Sequence, residues 1–352
     1  MNRVTIPFFI SHQGCPHTCV FCDQRASSGS AGRLPDGIEI VAKVHAWGRS
    51  AGGRPLEVAF FGGTFSALPR DVQAELLAPL QPLLAAGTLA SIRISTRPDC
   101  IDTDRVAWLA QQGVRTIELG VQSMDDRVLE ASGRGHDAVS SSAAIRCIKA
   151  HGLSVGAQLM PGLPGDTPAI ALRSLEAVIA AGADFVRLYP VVVLAGTELA
   201  RRFESGAYLP PGVDQGITLC KQLLLAAMKA GVEVVRIGLQ ADDGLNGDTV
   251  LAGCWHPAFG QLVRSELYFD LVSRLAAGTK GDAPRSIRCH PSRVSDCVGQ
   301  SRRNLRRLGE QWLTVTVLPD MSLPIEEIAL DYLEFCLKGN IVTDLNYTIN
   351  EV

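Results

Sequence analysis

The first two hundred residues alternate short apolar runs with longer stretches of helical periodicity. Segments such as 69–87 and 102–113 show the apolar spacing of amphipathic helices, and the second opens on Asp102 and closes on Gly113, as helices commonly do. Strand, helix and strand at this spacing predict a parallel sheet with crossover helices. The predicted strands, rich in β-branched and aromatic residues, are 4–10, 56–61, 91–96, 116–121, 153–160 and 185–193.

Most of these strands are apolar on both faces, which is typical of parallel strands buried between two layers. Six such units predict an α/β fold, a partial (β/α)6-type TIM barrel with its site at the carboxyl ends of the strands. Polar or glycine-rich clusters follow five strands in turn: three cysteines, "GGTF", "RPD", "QS" and "PGLPG". Burial of a sheet does not by itself place such clusters at one end of each strand, so the pattern indicates a functional site there.

The pattern changes after residue 195, and we expect three parts. Residues 1–195 form the partial barrel. Residues 196–278 form an extension that completes the barrel mouth, with a helix near 213–230, a strand at 232–239 that could extend the barrel, and a helix at 257–278. Residues 279–284 read as a linker, and 285–352 form a small basic α+β module.

The composition of the 352 residues, 47% hydrophobic and 20% charged, is typical of a soluble globular protein. The net charge of −3 does not indicate a general nucleic-acid binder, but it is compatible with a local basic patch. The first fourteen residues contain too short an apolar run for a signal peptide, and no segment reaches the roughly 18 apolar residues of a membrane span. We therefore expect a cytoplasmic protein, with no membrane partner, whose ten cysteines are mostly reduced. The oligomeric state stays open.

Three of the cysteines, Cys15, Cys19 and Cys22, lie within eight residues on the loop after the first predicted strand. Three thiolates suit a [4Fe–4S] cluster in which three irons are held by cysteine sulfur and the fourth iron is free to bind another ligand. A tetrahedral zinc site completed by His12 or His17 is one alternative. Three unrelated thiols are the other.

The spacing C-x3-C-x2-C, with the aromatic Phe21 before the last cysteine, resembles the signature of the radical S-adenosylmethionine (SAM) superfamily, and the resemblance covers roughly residues 4–195. It implies that SAM binds the open iron through its amino and carboxylate groups. It also implies that an electron, from a donor such as flavodoxin or ferredoxin, cleaves SAM to methionine and a 5′-deoxyadenosyl radical. The protein would orient SAM, tune the cluster and exclude water.

The resemblance implies SAM contacts at the strand ends. Gly62, Gly63 and Thr64 match a glycine motif whose backbone meets the SAM amino group, and glycine permits such close approach. A plain turn is the alternative for the two glycines. Ser95 occupies a position where relatives often carry a glutamate that contacts SAM, although serine is shorter and uncharged.

Four more residues match SAM contacts of the superfamily. Gln122 matches a glutamine beside SAM, and Arg134 matches an arginine that meets the SAM carboxylate, which a guanidinium can hold with two hydrogen bonds. Gln158 sits where some relatives place an aspartate that bonds the ribose hydroxyls. Phe21 is expected to pack near the adenine. The alternatives are a surface position for Arg134 and ordinary core packing for Phe21.

The strings "STRPD", "TIELGVQSMDDRVLEASGRGH" and "GLSVGAQLMPGLPGDT" resemble the catalytic subunit of the Elongator complex and, more distantly, oxygen-independent coproporphyrinogen oxidase. The first resemblance implies an RNA substrate, with transfer RNA (tRNA) as the candidate. The tail has no Gly-rich acetyl-CoA loop, so we do not carry over Elongator's complete reaction. A porphyrin-like small-molecule substrate and a non-catalytic Fe–S or SAM-binding protein are the alternatives.

The tail offers separate evidence on RNA. Residues 285–320 read as strand, helix, tight loop, helix and strand, and they resemble a KH module, in which a G-x-x-G loop grips a nucleic-acid backbone. Here the second glycine of the loop is replaced by arginine. A solvated helix face is the alternative, and Trp312 is the one nearby aromatic residue for base stacking. The predicted RNA contacts are Arg293, Gly299, Arg302, Arg303, Arg306 and Arg307.

Cys254 and His256 lie in a segment that could approach the barrel mouth, but closing a core is the more common role for such residues. The remaining cysteines are scattered and show no second cluster motif. Most of them are expected in the core.

Overall fold

The computed structural model describes residues 3–23, 33–240, 244–279, 283–310 and 315–348. Its centre is a seven-stranded parallel sheet in the order β1-β2-β3-β4-β5-β6-β8. The sheet curls into a half barrel, as the strand and helix alternation predicts. The first eight strands of the chain, of which all but β7 belong to this sheet, are β1 (Val4–Phe9), β2 (Leu56–Phe61), β3 (Ser91–Thr96), β4 (Val114–Gln122), β5 (Ser154–Leu159), β6 (Phe185–Leu188), β7 (Val192–Leu194) and β8 (Glu233–Ile237).

Helices connect these strands, and most of them begin at a capping residue. Asp36, Asp102, Asp125, Asp137 and others each accept a hydrogen bond from a backbone N–H of the first turn. The helices are α1 (Gly37–Ser50), α2 (Arg70–Leu77), α3 (Gln81–Ala85), α4 (Thr103–Gln111), α5 (Asp126–Ala131), α6 (Ala138–Ala150), α7 (Pro168–Ala181), α8 (Glu198–Glu204), α9 (Val213–Lys229) and α10 (Phe259–Ala277).

Proline explains two departures from the predicted elements. The helix predicted over 69–87 is broken into α2, a 3-10 turn and α3, because Pro79 and Pro82 cannot donate to the preceding turn. The strand predicted over 185–193 ends at Leu188, ahead of Pro190. Its second half is β7, which pairs with β9 (Val250–Gly253) in a separate antiparallel ribbon.

The strand predicted at 232–239 is confirmed as β8, which pairs with β6 and brings the sheet to seven strands instead of six. The two edges of the curled sheet are therefore β1 and β8. The helices predicted near 213–230 and 257–278 are confirmed as α9 and α10. Within the described residues, no helix has both the length and the apolar character needed to cross a membrane.

The inner face of the sheet carries charge, so the prediction of strands apolar on both faces was wrong there. Arg93 Nε lies 2.8 Å from Glu57 Oε2, and Arg93 Nη1 lies 2.6 Å from Glu118 Oε1. Arg187 Nε lies 2.7 Å from Glu118 Oε2, and both glutamates are fully buried. We call these four side chains the ion ladder, because they join β2, β3, β4 and β6 across the sheet.

The apolar core lies on the opposite face. Ile92 and Ile94 flank Arg93 and are fully buried among the apolar side chains of the surrounding helices. Successive side chains of a strand point to opposite faces, so the ion ladder faces away from that core. The interior of the half barrel is therefore polar, while its outer layer is apolar.

The C-terminal residues form a small α+β unit, and their elements follow the predicted order of strand, helix, loop, helix and strand. β10 is paired with β11 in parallel and with β12 in antiparallel orientation, and β12 pairs with β13. The predicted stacking residue Trp312 lies outside the described residues. The elements are β10 (Ser286–Cys289), α11 (Val294–Val298), α12 (Arg303–Gly309), β11 (Thr316–Pro319), β12 (Glu327–Asp331), β13 (Cys336–Asn340) and α13 (Ile341–Asp344).

We expect Glu118→Gln to lower the free energy of unfolding by about 3–5 kcal/mol, because it leaves the Arg93 and Arg187 guanidinium groups without their shared charge. Burial raises the pKa of Glu118, but Arg187 and Arg93 outweigh it and hold that pKa below its ordinary value. The stabilisation is therefore complete above the unfolded pKa and is lost as the pH falls through the folded pKa. The stability difference between the two proteins, followed by urea unfolding, should therefore narrow as the pH falls below the ordinary glutamate pKa of about 4.3.

Glu198→Gln is the matched control, because it removes a carboxylate from exposed ion pairs with Arg201 and Arg202. It should leave the urea midpoint unchanged. Equal midpoints for the wild type and Glu118→Gln at neutral pH would contradict a stabilising ion ladder.

Candidate active site

The cysteine loop (residues 10–23) follows β1 and is bound to the turn after β2. Ile10 N donates to Phe61 O at 2.8 Å, and Thr64 N donates to Gln13 O at 2.8 Å. The Cys15 Sγ and Thr64 Oγ1 atoms lie 3.4 Å apart. These contacts hold the first cysteine at the carboxyl end of β2.

Glycine is required where these two segments cross. Gly62 and Gly63 adopt φ angles of 73° and 58°, and a Cβ on Gly63 would lie 2.4 Å from Gln13 O. A Cβ on Gly14 would lie 2.4 Å from Thr64 O. The glycines therefore make room for the backbone of the cysteine loop, a role distinct from the predicted approach of SAM, which stays a prediction.

The second half of the cysteine loop is fixed by two other segments. Val20 N donates to Ser132 O at 3.1 Å, and Leu199 N donates to Val20 O at 2.8 Å. Cys22 N donates to Cys19 O at 3.1 Å, which closes a tight turn between the last two cysteines. The loop is thus held from both sides by backbone hydrogen bonds.

The three thiols lie close enough for the charge of one to act on another. Burial, followed by the nearby Cys19 and Cys15, raises the pKa of Cys22 to about 12. Deprotonating all three would place several negative charges together in a poorly hydrated site. A cluster of iron ions supplies the opposing charge, and its binding would release the protons. The donor set therefore fits a cationic metal cluster.

The two histidines of the zinc alternative contact other residues. Among the described side chains, no group of three or more His, Cys, Asp or Glu could hold one metal ion. The thiolates of an iron–sulfur cluster bind different irons, so they need not converge on one point. The His12 ring lies 4.0 Å from Asp23, and the His17 ring lies against Gly135. The arrangement favours the cluster over the zinc alternative.

Arg134 is buried beside the cysteines instead of lying on the surface. Its Nη1 donates to Cys19 Sγ at 3.1 Å, its Nη2 donates to Gly120 O, and it is only 5% exposed. The sequence placed Arg134 in the site, and the structure adds contact with a cysteine sulfur. A guanidinium in this position stabilises negative charge on the sulfur.

Arg97, which is held by Asp99, contacts the backbone of Arg134. Arg97 forms two 2.9 Å hydrogen bonds with Asp99, and its Nη2 also donates to the Arg134 carbonyl. Arg97 is 3% exposed. The "RPD" string marked this strand end as polar, but the sequence gave neither residue a role, because the contact of Arg97 with Arg134 spans 37 residues of chain.

Several polar atoms at this end of the sheet are buried without a partner among the described residues: Ser95 Oγ, Gln122 Oε1 and Arg134 Nε. Gln122 also adopts φ 72°, in the left-handed region that non-glycine residues rarely enter. Buried polar groups are normally satisfied, so orphaned ones at a strand end are available for a ligand. Their mixture of donors and acceptors fits the polar groups of SAM.

Two other predicted SAM contacts have partners within the fold. Gln158 Nε2 donates to Glu118 Oε2 at 3.2 Å, so its amide extends the ion ladder toward the strand ends. Phe21 is 9% exposed and packs in a small apolar cluster with Leu163 and Val191. The assignments of Gln158 to ribose and Phe21 to adenine remain predictions.

Three of the arginines predicted to contact RNA have acidic partners, and two of the three pairs are close. Arg293 Nη1 lies 3.2 Å from Asp296 Oδ2. Arg307 Nη1 lies 2.6 Å from Glu266 Oε1, and its guanidinium lies 3.4 Å from the centre of the Phe269 ring. Arg307 therefore fastens α12 to α10, which is a structural role.

The other four predicted RNA contacts surround the loop before α12. Arg302 and Arg306 are exposed, and Arg303 reaches the exposed Asp214 at 3.8 Å. Gly299 has φ 76°, and a Cβ there would lie 2.9 Å from the backbone nitrogen of residue 304. Packing is enough to require this glycine, so its presence does not by itself indicate a nucleic-acid loop.

Cys254 lies in the core, where its thiol donates to Pro211 O at 3.3 Å, and His256 accepts a hydrogen bond from Ala258 N at 3.0 Å. These contacts are structural. The prediction that most of the scattered cysteines are buried is confirmed for Cys100, Cys220, Cys289 and Cys297.

Comparisons with known proteins agree with this geometry. A profile of the radical SAM superfamily matches residues 9–178, and one for the Radical_SAM C-terminal domain matches residues 183–268. The uncharacterized protein MJ0486 of Methanocaldococcus jannaschii is 28% identical over 218 residues, covering 58% of this chain and 66% of that protein. The tRNA uridine(34) acetyltransferase of the same organism is 26% identical over 251 residues, covering 59% of this chain and 46% of that protein.

A solved structure shows the same fold. The Elp3 protein of Methanocaldococcus infernus matches with a TM-score of 0.61 and 22% identity, covering 75% of this chain and 62% of that one. The matched segments span about half to two thirds of these relatives' lengths. The likeness therefore concerns a shared part of each relative.

We expect Cys19→Ala to abolish iron binding, because two remaining thiolates cannot hold a cluster at three corners. Iron and labile sulfide, measured after anaerobic reconstitution, should fall from about four atoms of each per chain to a background value. Cys336→Ala removes an exposed thiol far along the chain and should keep the full content. Full iron content in Cys19→Ala would contradict the assignment.

We expect Arg97→Gln to retain iron but to weaken SAM binding on the order of tenfold, since loss of a positioning contact of this kind costs about 1.4 kcal/mol. The variant keeps the three thiols and removes the support of the Arg134 backbone. SAM affinity is measured by equilibrium dialysis, with iron content determined on the same samples. Wild-type SAM affinity in Arg97→Gln would show that Arg97 only stabilises the fold.

Proposed function

This chain belongs to the radical SAM superfamily, and from that premise we propose that it is an enzyme that modifies RNA, with tRNA as its substrate. Members of the superfamily use a [4Fe–4S] cluster and SAM. The observation that carries the proposal is the cysteine loop, which holds three thiols at the mouth of a half barrel with a buried arginine against one of them.

When bound, the cluster and SAM supply a 5′-deoxyadenosyl radical, at the expense of one electron from a donor such as flavodoxin or ferredoxin. The chain's own residues prepare the site for that chemistry. Cys15, Cys19 and Cys22 would hold three irons, and Arg134 donates to the Cys19 sulfur and so stabilises negative charge there. The rigid attachment of the cysteine loop to β2 fixes the position of the cluster relative to the strand ends.

The strand ends would position SAM. The unpaired Gln122 Oε1 and Ser95 Oγ lie on neighbouring strands, where they could accept or donate hydrogen bonds to the amino acid or the ribose. Beneath these two atoms, the paired charges of the ion ladder fill the inner face of the half barrel. Their mutual hydrogen bonds hold these side chains in place at the floor of the site.

Support for an RNA substrate comes from two sources. One relative is named a tRNA uridine(34) acetyltransferase, and its similarity to this chain extends over 251 residues. The C-terminal unit also presents Arg302 and Arg306 at its surface, beside the predicted loop. Against this, Arg293 and Arg307 have acidic partners. A radical SAM enzyme acting on a small molecule is therefore the second candidate.

We expect the reconstituted protein to release 5′-deoxyadenosine from SAM and dithionite on the order of tenfold faster when bulk tRNA is added, because binding of the correct substrate assembles the reacting geometry. The product is quantified by liquid chromatography and mass spectrometry under anaerobic conditions. Nuclease treatment of the tRNA should remove the acceleration.

The controls separate the alternatives. Acceleration by a small-molecule extract and not by tRNA would favour the second candidate. Absence of 5′-deoxyadenosine with tRNA and with extract would favour a non-catalytic Fe–S or SAM-binding protein. Comparison of modified nucleosides in cellular tRNA with and without the protein then identifies the product.

A further inference from the structure

Two aromatic rings lie on the inner face of the half barrel, at the carboxyl ends of β1 and β2. Phe9 and Phe61 are the last residues of these strands and are register partners. Their ring centroids lie 6.1 Å apart, and the ring planes are inclined at 39°. The preceding residue of each strand packs in the apolar core on the opposite face, so these two rings point into the half barrel.

The amino end of the same interior is filled by another aromatic side chain. A Cβ on Gly156 would lie 2.3 Å from the Phe185 ring, so this glycine leaves room for the ring to cross β5. Phe185 is 9% exposed, whereas Phe9 is 39% exposed. The interior is therefore packed at its amino end, and its accessible aromatic surface lies at the carboxyl end, directly before the cysteine loop.

Arg187 joins the aromatic pair to β6. Its guanidinium carbon lies 5.7 Å from the centre of the Phe61 ring, within the range of a cation–π contact. Its Nε and Nη2 donate to the Glu118 carboxylate at 2.7 and 2.9 Å. Its Nη1 donates to the Tyr189 hydroxyl at 3.5 Å. The bidentate ion pair with Glu118 thus holds the guanidinium in one orientation beside the Phe61 ring.

Tyr189 carries this arrangement to the end of β6. It directly follows the strand, and its backbone N donates to Leu159 O at 2.8 Å. Because Leu188 packs in the apolar core, Tyr189 lies on the inner face with Arg187. The phenol oxygen accepts from Arg187 and keeps its own hydrogen to donate. Burial raises the pKa of Tyr189 above its ordinary value, so the hydroxyl stays protonated at neutral pH.

These four side chains combine an aromatic surface with hydrogen-bond donors. Aromatic side chains bind nucleobases by stacking. Arginine N–H groups only donate, and a tyrosine hydroxyl that accepts from arginine donates in turn. A base stacked here meets donors, so a base edge with a carbonyl oxygen is favoured over one with an amino group. The chemistry fits an unpaired keto base, of which uracil is the smallest in RNA.

We propose that Phe9, Phe61, Arg187 and Tyr189 form the subsite that takes one unpaired keto base of the RNA substrate. The base stacks on the aromatic pair, and its carbonyl oxygen accepts a hydrogen bond from Tyr189. The inference rests on the proposed function, and it names the part of the RNA that enters the half barrel and the residues that select it. The base would lie at the carboxyl edge of the sheet, to which the cysteine loop is attached.

The test compares the binding of oligouridylate and oligocytidylate to the anaerobically reconstituted full chain, with SAM and without reductant, by fluorescence anisotropy. The two bases have the same size but differ on one edge, where uracil carries a carbonyl oxygen and cytosine an amino group. The wild type should bind oligouridylate about fivefold more tightly, as expected for one net hydrogen bond. Tyr189→Phe removes only the hydroxyl and should bring the two affinities together. A merely structural role for Tyr189 would change both affinities equally and leave their ratio unchanged.

Phe9→Leu tests the stacking surface, because it keeps an apolar side chain but removes the flat ring. It should weaken binding of both oligonucleotides by about five- to tenfold and leave the preference for uracil. Phe9→Tyr keeps the ring and should retain the wild-type affinities. Trp47→Leu is the matched control, because Trp47 lies on α1 and is 37% exposed, and it should change neither affinity. Iron content, measured on each variant, shows that the cluster is retained.

The outcomes separate the subsite from the proposed function. Wild-type affinities in Phe9→Leu, or an unchanged preference for uracil in Tyr189→Phe, would overturn the subsite. The proposed function would still stand if tRNA accelerates the release of 5′-deoxyadenosine. If the wild type binds neither oligonucleotide and does not respond to tRNA, the proposed function fails and a nucleobase is overturned as the occupant. Tighter binding of oligocytidylate by the wild type would also contradict the keto base.

Discussion

The site depends on bringing three thiols together in one short loop. Two thiolates separated by about 4–8 Å repel each other by roughly 2–4 kcal/mol at an effective dielectric constant of 20. Burial and the neighbouring thiols raise the pKa of Cys22, which favours the protonated form of that thiol. With metal, the irons and the Arg134 guanidinium supply the opposing charge. The fold therefore has to hold the loop in place by other means, and backbone hydrogen bonds to β2, α8 and the segment after α5 do so.

Paired charges also line the inner face of the half barrel beneath the site. The ion ladder fills the inner face with charged side chains that satisfy one another, so the interior is polar and its charges are paired. At the cysteine side of the barrel mouth, several buried polar atoms have no partner among the described residues and are available to a ligand.

The strands and the cysteine motif could be predicted from sequence because both are local. β2 and β3 have the bounds that their apolar runs predict, and the cysteine spacing indicates an iron–sulfur cluster. The inward charges of Glu57, Arg93 and Glu118 were visible as single charged residues within apolar runs, but their pairing depends on strand order. The support of Arg134 by Arg97 joins loops that follow different strands, so no local pattern reveals it. The acidic partner of Arg307 lies on α10, 41 residues away, which is why a helix rich in arginine looked like a free surface.

The most direct test of the account is the electron paramagnetic resonance spectrum of the anaerobically reconstituted, dithionite-reduced wild-type protein, recorded before and after addition of SAM. A cluster held by Cys15, Cys19 and Cys22 leaves one iron for SAM, so the spectrum should be that of a reduced [4Fe–4S] cluster whose g values shift when SAM is added. A protein without such a signal, or a signal indifferent to SAM, would contradict the central claim.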